Sequence, residues 1–128
     1  MNANPLAANA PLLPLGNNVM MPQLGLDTWP MNDAQARTAV AQAIALGYRL
    51  IDTAENYANE SGVGEGLRDS GLPREQLFVT TKFNRQWHSV EGVRTACENS
   101  LQRMKLDYVD LMLIHWPNPD QDASVQAF

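Results

Sequence analysis

Four side chains that can do acid–base chemistry occur at or just after the ends of predicted strands. Asp52, Lys82 and His115 each come where a short apolar run stops, and Tyr57 follows Asp52 in a segment too polar to be a strand. In parallel α/β folds the carboxyl ends of the strands meet at one edge, where ligands and catalytic groups gather. We therefore expect these four side chains to lie close together in one site.

The chemistry open to these groups is proton transfer to an oxygen atom. An ammonium group at a buried strand end keeps its charge only beside a partner that offsets its desolvation, and Asp52 is the candidate partner for Lys82. The Lys82 cation would stabilise the ionised phenol, which makes Tyr57 a candidate general acid. His115 would orient a substrate oxygen or share in the proton relay. This set suits carbonyl reduction, in which hydride from a cofactor creates an alkoxide that needs a proton.

Each of these residues also has a purely structural interpretation. Asp52 could cap the loop that follows it, and Lys82 could be a solvated strand end. Tyr57 could be a packing or surface aromatic, and His115 could be a hydrogen-bonded structural histidine. The occurrence of all four on one predicted edge favours the functional interpretation. His88, His115 and Asp52 contain no closely spaced ligand pair, so we predict no metal site.

Three other features are weaker candidates for function. The segment GVGEG, Gly62 to Gly66, lacks the Gly-x-Gly-x-x-Gly spacing of a phosphate loop and does not directly follow a strand, so close helix packing is the preferred interpretation. Cys97 lies on the predicted apolar face of a helix and is expected to be a small core residue of low reactivity. His88 stands beside Trp87 in a polar loop and is expected on the surface, although that loop could border the pocket.

Length and composition exclude several classes of protein. The chain has 128 residues, of which 45% are hydrophobic and 18% charged, and this suits one globular domain with a real core. Its net charge of −5 argues against a partner such as nucleic acid. The single cysteine excludes an intrachain disulfide and favours a reducing, cytoplasmic setting. The N-terminus does not match a signal peptide and no later run approaches the length of a membrane span, so no membrane partner is expected.

The elements that must position the four side chains begin with an edge hairpin. Residues 1–12 are expected to form a flexible tail, and residues 13–23 a β-hairpin turning at Gly16-Asn17-Asn18. A strand is predicted in QLGLDTW, followed by a helix that Asn32 or Asp33 caps and Gly47 ends. One face of this helix is predicted to be buried, through Ala36, Val40, Ala43 and Ile44.

Strands and helices then alternate to the end of the sequence. YRLIDTA, QLFVTTKF and YVDLMLIHW are predicted strands, and NESGVGEGLRDS is a short, glycine-diluted helix between the first two. The next helix is capped by Ser89 and carries a predicted apolar face of Val93, Cys97, Leu101 and Met104. The run from Leu111 to Ile114 is apolar without alternation, which predicts a strand covered on both faces. This alternation favours a parallel sheet, either in a doubly wound layer or in part of a barrel.

These segments together resemble the N-terminal half of the aldo-keto reductase family, of the bacterial 2,5-diketo-gluconate-reductase-like type. GYRLIDTAENYANESGVG is similar to that family's first signature, and LFVTTKF and LMLIHWP are similar to the strands that carry its lysine and histidine. The resemblance extends from about Leu13 to Phe128. It implies an α/β fold, the (β/α)8 TIM barrel, that reduces small aldehydes or ketones with NADPH, with residues 24–128 as the first half of the barrel.

The resemblance also implies a catalytic tetrad, made up of Asp52, Tyr57, Lys82 and His115. In that assignment Tyr57 donates the proton, Lys82 is paired to Asp52, and His115 orients the carbonyl group.

The same resemblance implies contacts to cofactor and substrate. Thr28, Trp29 and Asp52 would contact the cofactor, and the substrate pocket would be formed by Trp29, Tyr57, His115 and Trp116. Asp27 stands where the family commonly has glycine, so its charge could disturb cofactor binding or point elsewhere.

The length of the sequence departs from the family. A (β/α)8 barrel typically needs about 250 residues, and this sequence stops in DQDASVQAF, at the predicted start of a fourth helix. Residues 1–128 are therefore expected to form a single incomplete domain whose open edges and uncovered apolar face promote self-association, whereas the full-length parent would be a monomer. Two alternatives to the reductase remain: a catalytically inactive truncated fragment or interaction and regulatory module that retains the tetrad, and a metal-dependent hydrolase on a similar barrel.

Overall fold

The computed structural model describes residues 11–118, in which strands and helices alternate after a short hairpin. Strand β1 (Leu12–Gly16) pairs antiparallel with β2 (Val19–Pro22). Asn17 and Asn18 turn the chain between them with φ angles of 50° and 61°, a left-handed conformation that asparagine adopts more readily than most residues. The expected tail lies almost entirely outside the described residues, as does the segment predicted to begin a fourth helix.

The remaining strands form one parallel sheet that carries the candidate site at its carboxyl edge. Its strands are β3 (Gly25–Asp27), β4 (Leu50–Asp52), β5 (Phe78–Phe83) and β6 (Leu111–Ile114). They are parallel neighbours in sequence order, β3-β4-β5-β6. A doubly wound sheet reverses its strand order at a switch point, and no reversal occurs within residues 11–118. The order is therefore that of a barrel segment.

Helix α1 (Asp33–Ala45) has the N-terminus and the buried face that its sequence predicts. Asn32 is the N-cap: its Oδ1 accepts from the Gln35 amide, and Gln35 Oε1 accepts from the Asn32 amide. This reciprocal capping satisfies backbone donors that the first helical turn leaves open. The four residues predicted to face the core are all buried: Ala36, Val40, Ala43 and Ile44.

Helix α2 (Glu60–Asp69) uses its glycines to approach its neighbours closely. A Cβ atom at Gly62 would fall onto the Asp33 carbonyl of α1, and one at Gly64 would fall onto the carbonyl of Met104. Both positions therefore need a residue without a side chain. The preferred interpretation of the GVGEG segment, close helix packing, is confirmed.

Helix α3 (Val90–Met104) begins after its predicted cap, but it buries a different face from the expected one. Ser89 Oγ accepts from the Gly92 amide. The buried positions are Ala96, Ser100 and Met104, whereas the predicted Val93, Cys97 and Leu101 are only partly buried. The prediction counted apolar residues alone, while α3 buries a serine whose hydroxyl accepts a hydrogen bond from Arg103. Two of the buried side chains, Ala96 and Ser100, are small, and the third, Met104, belongs to the predicted face.

Two further expectations about packing need correction. Within residues 11–118, strand β6 is not covered on both faces: Leu113 is 38% exposed, and the other residues of the strand are only partly buried. Cys97 is partly buried instead of being a core residue. Burial and the charge of Glu98 raise the pKa of its thiol, so little of it is the reactive thiolate.

Among residues 11–118, none of the helices combines the length and the apolar character needed to cross a bilayer.

Candidate active site

An ion pair joins the ends of β4 and β5. Lys82 Nζ lies 2.6 Å from Asp52 Oδ2, and it also donates to the carbonyl oxygen of Thr53 at 3.0 Å. The side chain of Lys82 is 14% exposed and that of Asp52 is 29% exposed. Lys82 is therefore partly desolvated, and the Asp52 carboxylate offsets its charge, as the strand-end pattern predicts.

The phenol of Tyr57 lies next to this ion pair. Tyr57 ends a short 3₁₀ helix, Glu55–Tyr57, that directly follows β4. Lys82 Nζ is 3.5 Å from Tyr57 Oη and 5.1 Å from the centre of the ring. The ammonium group is thus within hydrogen-bond reach of the phenol oxygen.

His115 and Trp116 complete the group from the end of β6. The imidazole packs edge-on to Tyr57, with ring centres 5.7 Å apart, and stacks on Trp116 at 3.6 Å. Burial lowers the pKa of His115, the charge of Lys82 lowers it further, and Asp52 opposes both. The imidazole is therefore neutral at pH 7. Its buried Nδ1 has no hydrogen-bond partner within residues 11–118.

These aromatic residues border a pocket of about 230 Å³. Trp29 approaches Tyr57 with ring centres 5.4 Å apart and is 56% exposed, so the pocket is open on this side. The lining residues are Trp29, Asn56, Tyr57, His115 and Trp116. The structure thus brings together every residue predicted to contact substrate, although that contact itself stays a prediction. Asn56 was not predicted; its only signal in the sequence is its place beside Tyr57.

A larger groove, of about 640 Å³, runs along the outside of α1, but it contains no ionisable side chain. Its lining residues are Pro30, Met31, Ala34, Gln35, Thr38, Ala39 and Gln42. It is therefore a poorer candidate for catalysis than the pocket beside Tyr57.

The residues after β3 have a supporting place in the site. Thr28 is fully buried, and its amide and its hydroxyl both donate to the Asp52 carbonyl at 3.1 Å. The Thr28 hydroxyl thus binds the protein backbone, and its expected contact with a cofactor stays a prediction. Asp27 Oδ1 accepts from the Trp29 amide at 3.1 Å. The unexpected carboxylate is therefore turned toward the backbone that carries Trp29.

Glu55 connects the Tyr57 turn to the loop after β5. Its Oε2 accepts from the Asn84 amide at 3.0 Å, and its Oε1 accepts from Trp87 Nε1 at 2.9 Å. His88, expected on the surface, is instead half-buried, because its ring packs edge-on to Phe83 at 5.4 Å. The loop therefore folds back onto the sheet, and sequence reasoning missed the role of Glu55 in holding it.

Comparison with known proteins agrees with this geometry. The model of the aldo/keto reductase family matches residues 21–127. The chain belongs to the aldo-keto reductase family. Morphine 6-dehydrogenase of Pseudomonas putida is 46% identical over 123 residues, which are 96% of this chain and 42% of that protein. Methylglyoxal reductase DkgA of Yersinia pestis is 47% identical over 119 residues, 92% of this chain and 42% of that protein.

A solved aldo-keto reductase shows where this chain fits in the fold. The crystal structure of the Bombyx mori aldo-keto reductase, in complex with NADP, matches 92% of this chain and 45% of its own chain, with a TM-score of 0.84 and 35% identity. The chain therefore spans somewhat less than half the length of these relatives. The resemblance to the family is confirmed, and so is the fold class: the described residues are a parallel α/β part of the (β/α)8 barrel.

The described part of this aldo-keto reductase chain has no cluster of three or more His, Cys, Asp or Glu residues that could hold a metal ion. Hydrolysis by a bound metal has no ligand set among these residues to support it.

Proposed function

We propose that this chain supplies the catalytic edge of an NADPH-dependent reductase that converts small aldehydes or ketones to alcohols. The observation that carries the proposal is the position of Lys82 Nζ, 2.6 Å from Asp52 Oδ2 and 3.5 Å from Tyr57 Oη. A cation held between a carboxylate and a phenol suits proton donation by the phenol.

In the proposed reaction, the carbonyl carbon would receive a hydride, which a nicotinamide cofactor supplies when it is bound. Tyr57 donates its hydroxyl proton to the carbonyl oxygen, so the product is a neutral alcohol. The phenolate left behind lies beside the Lys82 ammonium, which stabilises it. Asp52 holds that ammonium in place, and solvent returns the proton to Tyr57.

His115 orients the substrate in this proposal. Because the imidazole is neutral, one of its ring nitrogens carries a hydrogen and can donate to the carbonyl oxygen. Its stacking on Trp116 and its edge contact with Tyr57 hold the ring beside the proton donor. The pocket of about 230 Å³ beside these rings has room for a small carbonyl compound.

The choice of cofactor has support from the Bombyx mori relative, which was solved with NADP. The residues of this chain fit the reacting end of such a cofactor. Trp29 presents an exposed aromatic ring at the open side of the pocket, and the neighbouring Thr28 donates to the backbone carbonyl oxygen of Asp52. The buried Nδ1 of His115 also has no hydrogen-bond partner among the described residues, so a polar group of a ligand would satisfy it. A cytoplasmic location stays our prediction, from the lone Cys97.

The test is NADPH consumption with methylglyoxal, the compound for which the Yersinia pestis relative is named. Tyr57→Phe should lower kcat by at least about 100-fold, the smallest effect typical of a lost general acid. Tyr48→Phe is the matched control, because Tyr48 is an exposed tyrosine outside the pocket. Tyr57→Phe activity equal to that of Tyr48→Phe would contradict the assignment of the proton donor.

A second candidate is a catalytically inactive interaction or regulatory module that keeps the tetrad. Quenching of tryptophan fluorescence by NADPH separates the two candidates. A folded 128-residue chain that does not bind NADPH supports the module, whereas binding with turnover supports the reductase.

A further inference from the structure

Asn59 is a fully buried polar side chain two residues after Tyr57. Its Oδ1 accepts from Thr53 Oγ1 at 2.8 Å, and its Nδ2 donates to the carbonyl oxygens of Thr28 and Met31 at 2.9 and 3.0 Å. One amide therefore uses its acceptor and both of its donor hydrogens to join three segments: the ends of β3 and β4, and the start of α1. Buried hydrogen bonds of this kind are costly to remove, because the partners are left unsatisfied.

The segments that Asn59 joins are the ones that hold the ion pair. Thr28 donates twice to the carbonyl oxygen of Asp52, through its amide and its hydroxyl. Thr53 directly follows Asp52, and its own carbonyl oxygen accepts from Lys82 Nζ. Asn59 is thus connected to the Asp52–Lys82 pair by two separate routes, one through β3 and one through β4.

A single residue separates this amide from the phenol. Ala58 lies between Tyr57 and Asn59 and has a φ angle of 54°, in the left-handed region. That conformation is unfavourable for a residue other than glycine and persists where surrounding contacts impose it. Asn59 supplies such contacts on the C-terminal side of Ala58, so the direction in which the chain presents Tyr57 depends on this amide.

We propose that Asn59 is a positioning residue for Tyr57. By fixing the turn against the ends of β3 and β4, it holds the phenol oxygen beside Lys82 and the ring between Trp29 and His115. The purpose of that placement, proton donation, rests on the proposed function; the placement itself can be tested without activity.

The test is NMR of the 128-residue chain labelled with ¹³C in the tyrosine rings, of which there are three. The ring signals of Tyr57 should be shifted by its neighbours Trp29 and His115, whose ring centres lie 5.4 and 5.7 Å away. In Asn59→Ala, measured where the chain is still folded, these signals should move toward the values of a solvated tyrosine. The signals of Tyr48 and Tyr108 should not move.

Val63→Ala is the matched control, because Val63 is also fully buried in this region but belongs to the apolar core of α2. It should destabilise the chain and leave the Tyr57 signals in place. Thr53→Val is a milder second variant for the case in which Asn59→Ala does not fold. It removes one of the three hydrogen bonds and should move the Tyr57 signals in the same direction by less. Unchanged Tyr57 signals in folded Asn59→Ala or Thr53→Val, or equal movement in Val63→Ala, would overturn the proposal.

A kinetic measurement adds the link to function. If the reductase activity is present, Asn59→Ala should lower kcat by at least about 10-fold, with a smaller change in KM, since a misplaced group weakens the chemical step. Val63→Ala, assayed below its melting temperature, should keep kcat. If the unmodified protein shows no reductase activity, the proposed function fails, and the NMR result still decides the role of Asn59.

Discussion

Replacement of Asp52 should show whether the ion pair with Lys82 holds the site together. The two charged groups are 2.6 Å apart, and their side chains are 29% and 14% exposed. The pair is therefore neither a solvated surface contact nor a fully buried one. In Asp52→Asn the ammonium keeps the carbonyl oxygen of Thr53 as a partner, but no negative charge remains within hydrogen-bond distance among the described residues.

The structure sets the expected size of the effect. At 2.6 Å and an effective dielectric constant of about 20, the attraction between two unit charges is about 6 kcal/mol. Desolvation of both groups and ordering of the lysine chain oppose this attraction. Exposed pairs contribute about 0–1 kcal/mol, and breaking a buried pair costs about 3–5 kcal/mol. With partial exposure, we expect a coupling free energy of about 2 kcal/mol.

A double-mutant cycle measures this coupling. The free energy of unfolding in urea is determined at pH 7 for the parent chain, Asp52→Asn, Lys82→Met and the double variant. The exposed pair of Arg94 and Glu91, at 3.1 Å, provides the matched control and should show a coupling below about 0.5 kcal/mol. An equally small coupling between Asp52 and Lys82 would refute the reasoning, because the lysine would then be solvated and not held for Tyr57.

Three further predictions concern packing, pH and association. Gly64→Ala should lower the free energy of unfolding by about 2 kcal/mol, since its Cβ would meet the Met104 carbonyl. Ser61 is exposed, so the control Ser61→Ala should change this free energy by less than about 0.5 kcal/mol. Equal effects of the two variants in urea titrations would contradict the close packing at Gly64. The pKa of His115 is lowered by burial and by Lys82, so the unfolded chain binds a proton more readily, and stability should fall as the pH drops below about 6.5. In urea titrations at pH 7.5 and 5, His115→Gln should reduce the loss of stability between the two pH values. An unchanged pH dependence in this variant would contradict the role of His115. The 128-residue chain should elute as an associated species in size-exclusion chromatography, because the β3 and β6 edges of the described sheet are unpaired; a compact monomer would count against this.

Local signals in the sequence predicted the elements well, but not every packed face. Asn32 and Ser89 start their helices because a side-chain oxygen must bind the open backbone donors, which is a property of a few adjacent residues. The buried face of α3 depends instead on the approach of other elements. Ser100 is buried beside Arg103, and no periodicity of apolar residues contains that information.

The candidate site likewise contains residues that could be predicted from the sequence and contacts that could not. Asp52, Lys82 and His115 could be predicted because parallel strands bring their carboxyl ends to one edge. The contacts of Asn59 could not, since its partners lie up to 31 positions away in the sequence and are mostly backbone oxygens. A buried asparagine before a helix looks like an ordinary cap until the tertiary structure shows where its donors point.

The turn that presents Tyr57 is anchored on both sides of the phenol. Glu55 binds the loop after β5, and Asn59 binds the ends of β3 and β4. The side chains of Glu55 and Asn59 form their described hydrogen bonds with residues of this chain that lie between Thr28 and Trp87. The distance between the phenol and Lys82 is therefore set by contacts inside this chain. The proposed proton donation can consequently be tested apart from the proposed hydride delivery, because variants of Glu55 or Asn59 should disturb the phenol whether or not a cofactor is bound.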